Sequence, residues 1–184
     1  MSLSLIIFLL FFPACLGILG QVIWNTELTY QFLAVGIFLF SIEQANMANQ
    51  DLQLVANAKA LVKDVRLDIF QKITIITIII ELFGFYLSSI DLGWGSIIIL
   101  SSLIWFNLFA NIKIDRAKSI IQTWNVRERL PVLIADVVGL ILTSLWMLKI
   151  ADYWISWGLF TMAIVYCNIK LFLFFKSFNY AGEI

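Results

Sequence analysis

Long apolar runs, interrupted by short polar clusters, set the pattern of this chain. A bilayer-crossing helix needs roughly 20 mostly apolar residues. Six segments meet or approach that length: 3–23, 28–44, 69–90, 92–111, 130–149 and 152–176. Asn25-Thr26-Glu27 separates the first two, Asp91 the next pair and Ala151-Asp152 the last. Breaks this short predict tight turns, so the spans should form three helical hairpins. Longer polar stretches, 45–68 and 112–129, join one hairpin to the next. The expected fold is all-α: one polytopic transmembrane helical bundle occupying 1–184.

Both connections read as helical. Residues 45–68 lack Pro and Gly and are rich in Ala, Leu, Gln and Lys, good helix formers, so the second span should continue past the membrane and turn back. In 112–124, Ile112, Ile114, Ala117, Ile120, Ile121 and Trp124 suggest an apolar face opposite Asp115, Arg116, Lys118 and Ser119. That spacing predicts an amphipathic helix at the membrane interface or packed beneath the bundle.

Charge orients the bundle. Lys59, Lys63, Arg66, Lys72, Lys113, Arg116, Lys118, Arg127, Arg129, Lys170 and Lys176 fall on one side, leaving Lys149 alone on the other with Glu27, Asp91 and Asp152. By the positive-inside rule the long connections and both termini should be cytoplasmic. Trp24, Tyr30, Tyr86, Trp94, Trp146, Tyr153, Trp154 and Trp157 fall at the outer boundary, where amphipathic rings settle, and Trp124 at the inner one. Phe12-Pro13-Ala14-Cys15 faintly suggests a cleavage site, but Met-Ser-Leu-Ser before it carries no basic residue. The first helix is expected to be retained.

Composition excludes several classes. Of 184 residues, 62% are hydrophobic and 13% charged, against about a quarter charged in soluble domains; the chain is expected to be an integral, multi-pass membrane protein. Twelve basic residues balance twelve acidic ones, which leaves no footprint for nucleic acid. The absence of histidine argues against bis-His haem, most zinc chemistry and Ser-His-Asp hydrolysis. Cys15 and Cys167 stand far apart in apolar runs and read as reduced, buried thiols. No metal site is expected on these grounds, haem and zinc least of all; the sequence names no cofactor, and lipid or pigment binding stays open. Glu43 with Asn46, one helical turn apart, is the one pair suited to a chlorophyll-type metal.

Ionisable groups inside spans cost about 2.5–3.5 kcal/mol each at a helix centre and so invite explanation. Asp136 lies about 9 Å along its helix from Leu130, and Lys170 about the same distance from Lys176, which predicts an Asp136–Lys170 ion pair. Glu81 lies about 13 Å from the turn at Ile90. The same distance down the next span reaches Ser101 and Ser102, predicting a carboxyl–hydroxyl clasp within a hairpin. Asn107 could extend a polar path or join helices. Leu108–Lys113 and Val165–Lys170 share an Asn-Ile-Lys ending, a faint internal repeat.

The expected function is that of a non-catalytic accessory, assembly or scaffold subunit of a larger membrane complex, touching lipid and other subunits or copies of itself. The alternative is a small proton- or cation-coupled transporter or channel that uses Glu81 and Asp136.

Overall fold

The second apolar run does not stop at the membrane boundary because nothing in its sequence stops it: α2 (Leu28–Leu61) is a single helix of 34 residues, about 51 Å long. It follows α1 (Leu3–Trp24) and precedes α3 (Val65–Ser88), α4 (Leu92–Phe109), β1 (Ile112–Ile114), β2 (Ile121–Thr123), α5 (Val126–Met147) and α6 (Asp152–Ala181). The computed structural model describes residues 3–114 and 121–181, with side chains over 5–7, 9–114 and 121–169. The chain is almost all helical. Among the described residues, α1 to α5 are long and apolar enough to cross a membrane, as expected of an integral multi-pass protein.

Local chemistry ends the helices where the polar breaks fall. Asp64 caps α3, its carboxylate accepting from the Arg66 amide at 2.8 Å. The adjoining Arg66 guanidinium, followed by that amide bond, holds the Asp64 carboxyl below its ordinary range. Asp91 caps α4 by accepting from the Trp94 amide at 3.1 Å, satisfying one of the orphan donors of a helix start. Inside α1, Pro13 disturbs the hydrogen-bond ladder of the preceding turn, and the Tyr86 hydroxyl donates to the Leu10 carbonyl there at 3.2 Å.

The turn after α5 is built against preference. Lys149 N–H bonds to Trp146 O and Ile150 N–H to Leu145 O, the paired bonds of a Schellman stop. Its left-handed position, usually glycine, is Lys149 at φ 60°, and Ala151 follows at φ 51°. Lys149 compensates with its ammonium, 3.5 Å from Glu27 and 3.7 Å from Asp152, and over the rings of Tyr30 and Trp146. Ala151 has no such compensation. Ala151→Gly is expected to stabilise the fold by about 0.5–1 kcal/mol, because relief of the left-handed penalty outweighs the extra chain entropy; detergent-phase melting would check it.

The connection at 112–129 departs from the helical expectation. Among its described residues, β1 and β2 pair antiparallel, with Ile112 opposite Thr123, Lys113 opposite Gln122 and Ile114 opposite Ile121. These β-branched residues suit a pleated strand better than a helix. Alternation decides the matter: Ile112 is buried, Lys113 exposed and Ile114 half-buried, so one strand face joins the cluster of Val55, Ala58, Leu67, Phe70 and Ala110. Residues 115–120 lie outside the described part. The shared Asn-Ile-Lys endings are also unlike in structure, since Ile112 and Lys113 are strand whereas Asn168 and Ile169 lie in α6.

Packing follows membrane logic. Large apolar residues such as Ile79, Phe83, Ile134 and Trp154 face outward, while Thr74, Glu81, Ser88, Arg129, Asp136 and Thr143 are buried. Helices α2, α3, α4, α5 and α6 close a ring in that order, α6 returning to pack on α2, and α1 fits outside against α2 and α3. The α5–α6 contact is slight, because each packs mainly on an earlier helix, α4 or α2. Small residues permit the closest approaches: Gly95 against Ser88 and Gly84 against Ile99, both between α3 and α4. Trp146, placed at a headgroup boundary by the sequence, is instead buried and meets Tyr30 edge-on, with ring centroids 4.8 Å apart.

Candidate functional site

The ring of five helices surrounds a cavity of about 690 Å³. Two ends define it. At the turn end, Leu33, Ala34, Leu92 and Trp146 pack into an apolar cluster; at the other lies the β-hairpin. The walls are mainly apolar, with Ile37, Phe40, Leu100, Leu103 and Met162 prominent, and three carboxylates line it: Asp51 from α2, Glu81 from α3 and Asp136 from α5. No lysine or arginine among the described residues lines it.

Two glycines fix the relative depth of Glu81 and Asp136. A Cβ on Gly84 would lie 2.7 Å from Ile99 Cγ1, and one on Gly139 would lie 3.3 Å from Leu100 Cδ2. Both glycines therefore abut the same level of α4. Each carboxylate stands three residues before its glycine, on helices that run the same way, so both sit about 4.5 Å nearer the hairpin end. Glu81 and Asp136 thus occupy one level on either side of α4.

Glu81 is 3% exposed. The expected clasp with Ser101 and Ser102 is not formed: Ser102 Oγ donates to its own helix at Ile99 O, 2.6 Å away, and Ser101 is exposed. A serine one turn along a helix can satisfy itself on the i−3 or i−4 carbonyl, and both short side chains leave Glu81 turned into the cavity. One turn before Glu81, Thr77 is 5% exposed and lines the same wall; its Oγ1 is buried without a hydrogen-bond partner.

Asp136 is 8% exposed and accepts from Asn107 Nδ2 at 2.9 Å. The side chain of Lys170, its expected partner, lies outside the described residues. Asn107 also connects Asp136 to Arg129, which has 0% exposure. The Arg129 guanidinium donates to the carbonyl oxygens of Asn107 and Trp124 and lies 5.2 Å from the centroid of the Trp124 ring. The Asn107 carbonyl belongs to the last turn of α4, where acceptors lack helical partners and the helix dipole is negative. Arg129 therefore stabilises a helix end from inside the bundle and holds Asn107 under Asp136.

Glu43 and Asn46 lie apart from the cavity. Glu43 accepts from the Tyr166 hydroxyl at 3.3 Å, and Asn46 Oδ1 from Gln50 at 3.1 Å. No group of three or more potential metal ligands occurs among the described residues. Cys15 is buried with Sγ 3.0 Å from Ser41 Oγ, and Cys167 is only half-buried.

Sequence reasoning passed over Asp51, Thr77 and Arg129 as parts of the site. A signal for part of this was present. Thr74, Glu81 and Ser88 recur at intervals of seven residues, as do Arg129, Asp136 and Thr143, an interval that keeps one face of a helix. Glu81-Leu-Phe-Gly84 with Ser88-Ser89 is matched 55 positions later by Asp136-Val-Val-Gly139 with Thr143-Ser144. Helices α3 and α5 thus carry the same polar stripe in the same direction. The sequence matches no protein-family model, and comparison with curated proteins and with solved structures finds no match.

Proposed function

We propose that the protein is a small membrane transporter or channel, proton- or cation-coupled, in which Glu81 and Asp136 meet the moving charge. One observation carries this reading: the two carboxylates face a common, mainly apolar cavity at a common depth inside the ring of helices. Ionisable groups at such positions are costly and mark ion or substrate paths. A carboxyl needed only to join helices would be expected to hydrogen-bond across the interface, as Asp136 does with Asn107; Glu81 makes no hydrogen bond to Ser101 or Ser102.

Proteoliposomes loaded with a pH-sensitive dye and placed under a potassium diffusion potential test the proposal. Protein-containing vesicles should pass protons or sodium faster than empty ones. Glu81→Gln and Asp136→Asn should each return the flux to the empty-vesicle rate, while Glu128→Gln, an exposed carboxylate beyond the cavity, should not. Wild-type flux equal to background, with another polypeptide co-purifying stoichiometrically, would reject transport and favour an accessory subunit.

A further inference from the structure

Resting on that reading of the cavity, we propose that it binds an organic cation, an alkyl- or arylammonium, with its charged head between Glu81 and Asp136 and its apolar body along Ile37, Phe40, Leu100 and Leu103. Charge selects the sign of the ligand: the cavity presents carboxylates and no basic side chain among the described residues. Size separates an organic ligand from a bare ion. At about 690 Å³ the space falls within the ~300–1,000 Å³ typical of small-molecule sites. A bound calcium ion would need about 6–8 oxygens at roughly 2.3–2.6 Å, whereas the described carboxylates form no such cluster.

Thr77 completes the wall beside Glu81. Its Oγ1 has no partner in the protein although Thr77 is 5% exposed and lines the cavity. It lies on the face of α3 that carries Glu81, four residues earlier. A protonated primary amine has three donors, and Glu81 and Asp136 supply carboxylate acceptors on two walls. Most of the remaining wall is hydrocarbon, which suits a chain or ring better than a strongly hydrated small ion, and Asp51 adds a third carboxylate.

Saturation binding of radiolabelled n-octylammonium to full-length protein in zwitterionic nanodiscs, corrected by empty nanodiscs, tests this. Unlabelled n-octanol and octanoate serve as competitors. The wild type should bind octylammonium saturably, with neither competitor displacing it at equal concentration. Glu81→Gln should weaken binding tenfold or more and Asp136→Asn several-fold, both with unchanged melting, while Glu128→Gln should match wild type. Equal competition by octanol, or binding indifferent to both substitutions, would overturn the ligand class. Should Glu81→Gln fail to fold, Asp136→Asn decides. Proton or sodium flux without ammonium selectivity would reject this inference alone; selective binding without flux would reject transport and leave the binding site standing.

Discussion

Gly95→Ala is expected to destabilise the fold by about 3 kcal/mol, near the upper end of what overpacking usually costs. A Cβ at this position would stand 2.3 Å from the Ser88 amide nitrogen and 2.5 Å from its Cα. Those are backbone atoms in the last turn of α3, and no rotamer change moves them. The two helices would have to part where α3 turns into α4, and the level of Gly84 against Ile99 would shift with them. Gly158→Ala is the natural comparison, because a Cβ there meets nothing within 4 Å. That substitution should be neutral or should stabilise by up to about 1 kcal/mol, the helix-propensity difference between the two residues. Unfolding in mixed detergent–SDS micelles would measure both. Equal stability of Gly95→Ala and wild type would show that α3 and α4 do not approach so closely.

The second large effect is expected at Arg129. Arg129→Leu should destabilise by about 2–4 kcal/mol, since the buried Asn107 and Trp124 carbonyls lose their donor and a buried unsatisfied acceptor costs about 1–3 kcal/mol. Arg129→Lys should recover only part of this. A lysine keeps the charge, but it lacks the planar fork that reaches two carbonyls while stacking on Trp124. The damage should spread to Asp136, because Asn107 is held by Arg129 on one side and donates to Asp136 on the other. Double-mutant analysis with Asn107→Ala would measure that linkage: the two losses should fall well short of adding. Full additivity would show that Arg129 and Asn107 act separately.

Much of the organisation was legible before any coordinates. Apolar runs of the required length placed the helices, and the polar breaks at Asn25–Glu27, Asp91 and Ala151-Asp152 placed their ends. A continuous helix beyond the second apolar run followed from a stretch without Pro or Gly. Each inference uses only local information: side-chain hydropathy, helix propensity and capping chemistry. The candidate site was legible in fragments. Glu81, Asp136 and Asn107 stand out because charge and amide groups are rare in such surroundings, and their approximate depth follows from the helical rise.

Partners were a different matter. Counting along two helices gives a height but no rotation, and Ser102 turned to the Ile99 carbonyl of its own helix while Glu81 turned to the cavity. The strand pairing of Ile112–Ile114 with Ile121–Thr123 also needed the tertiary structure, because isoleucines at mixed spacing satisfy a helix face and a strand face alike. Their burial against Val55, Leu67 and Phe70 chose between them. Arg129 looked like one more surface cation until α4 ended beside it.

By itself, then, the sequence determined an almost wholly helical chain suited to a membrane, the places where its helices stop, and which polar groups sit among apolar neighbours. Tertiary structure alone decided that α2 to α6 close a ring and that Asp51, Glu81 and Asp136 share its cavity. The reason is physical: hydropathy and propensity act along the chain, whereas the rotation of a helix is set by where small residues such as Gly84 and Gly95 let two helices meet closely.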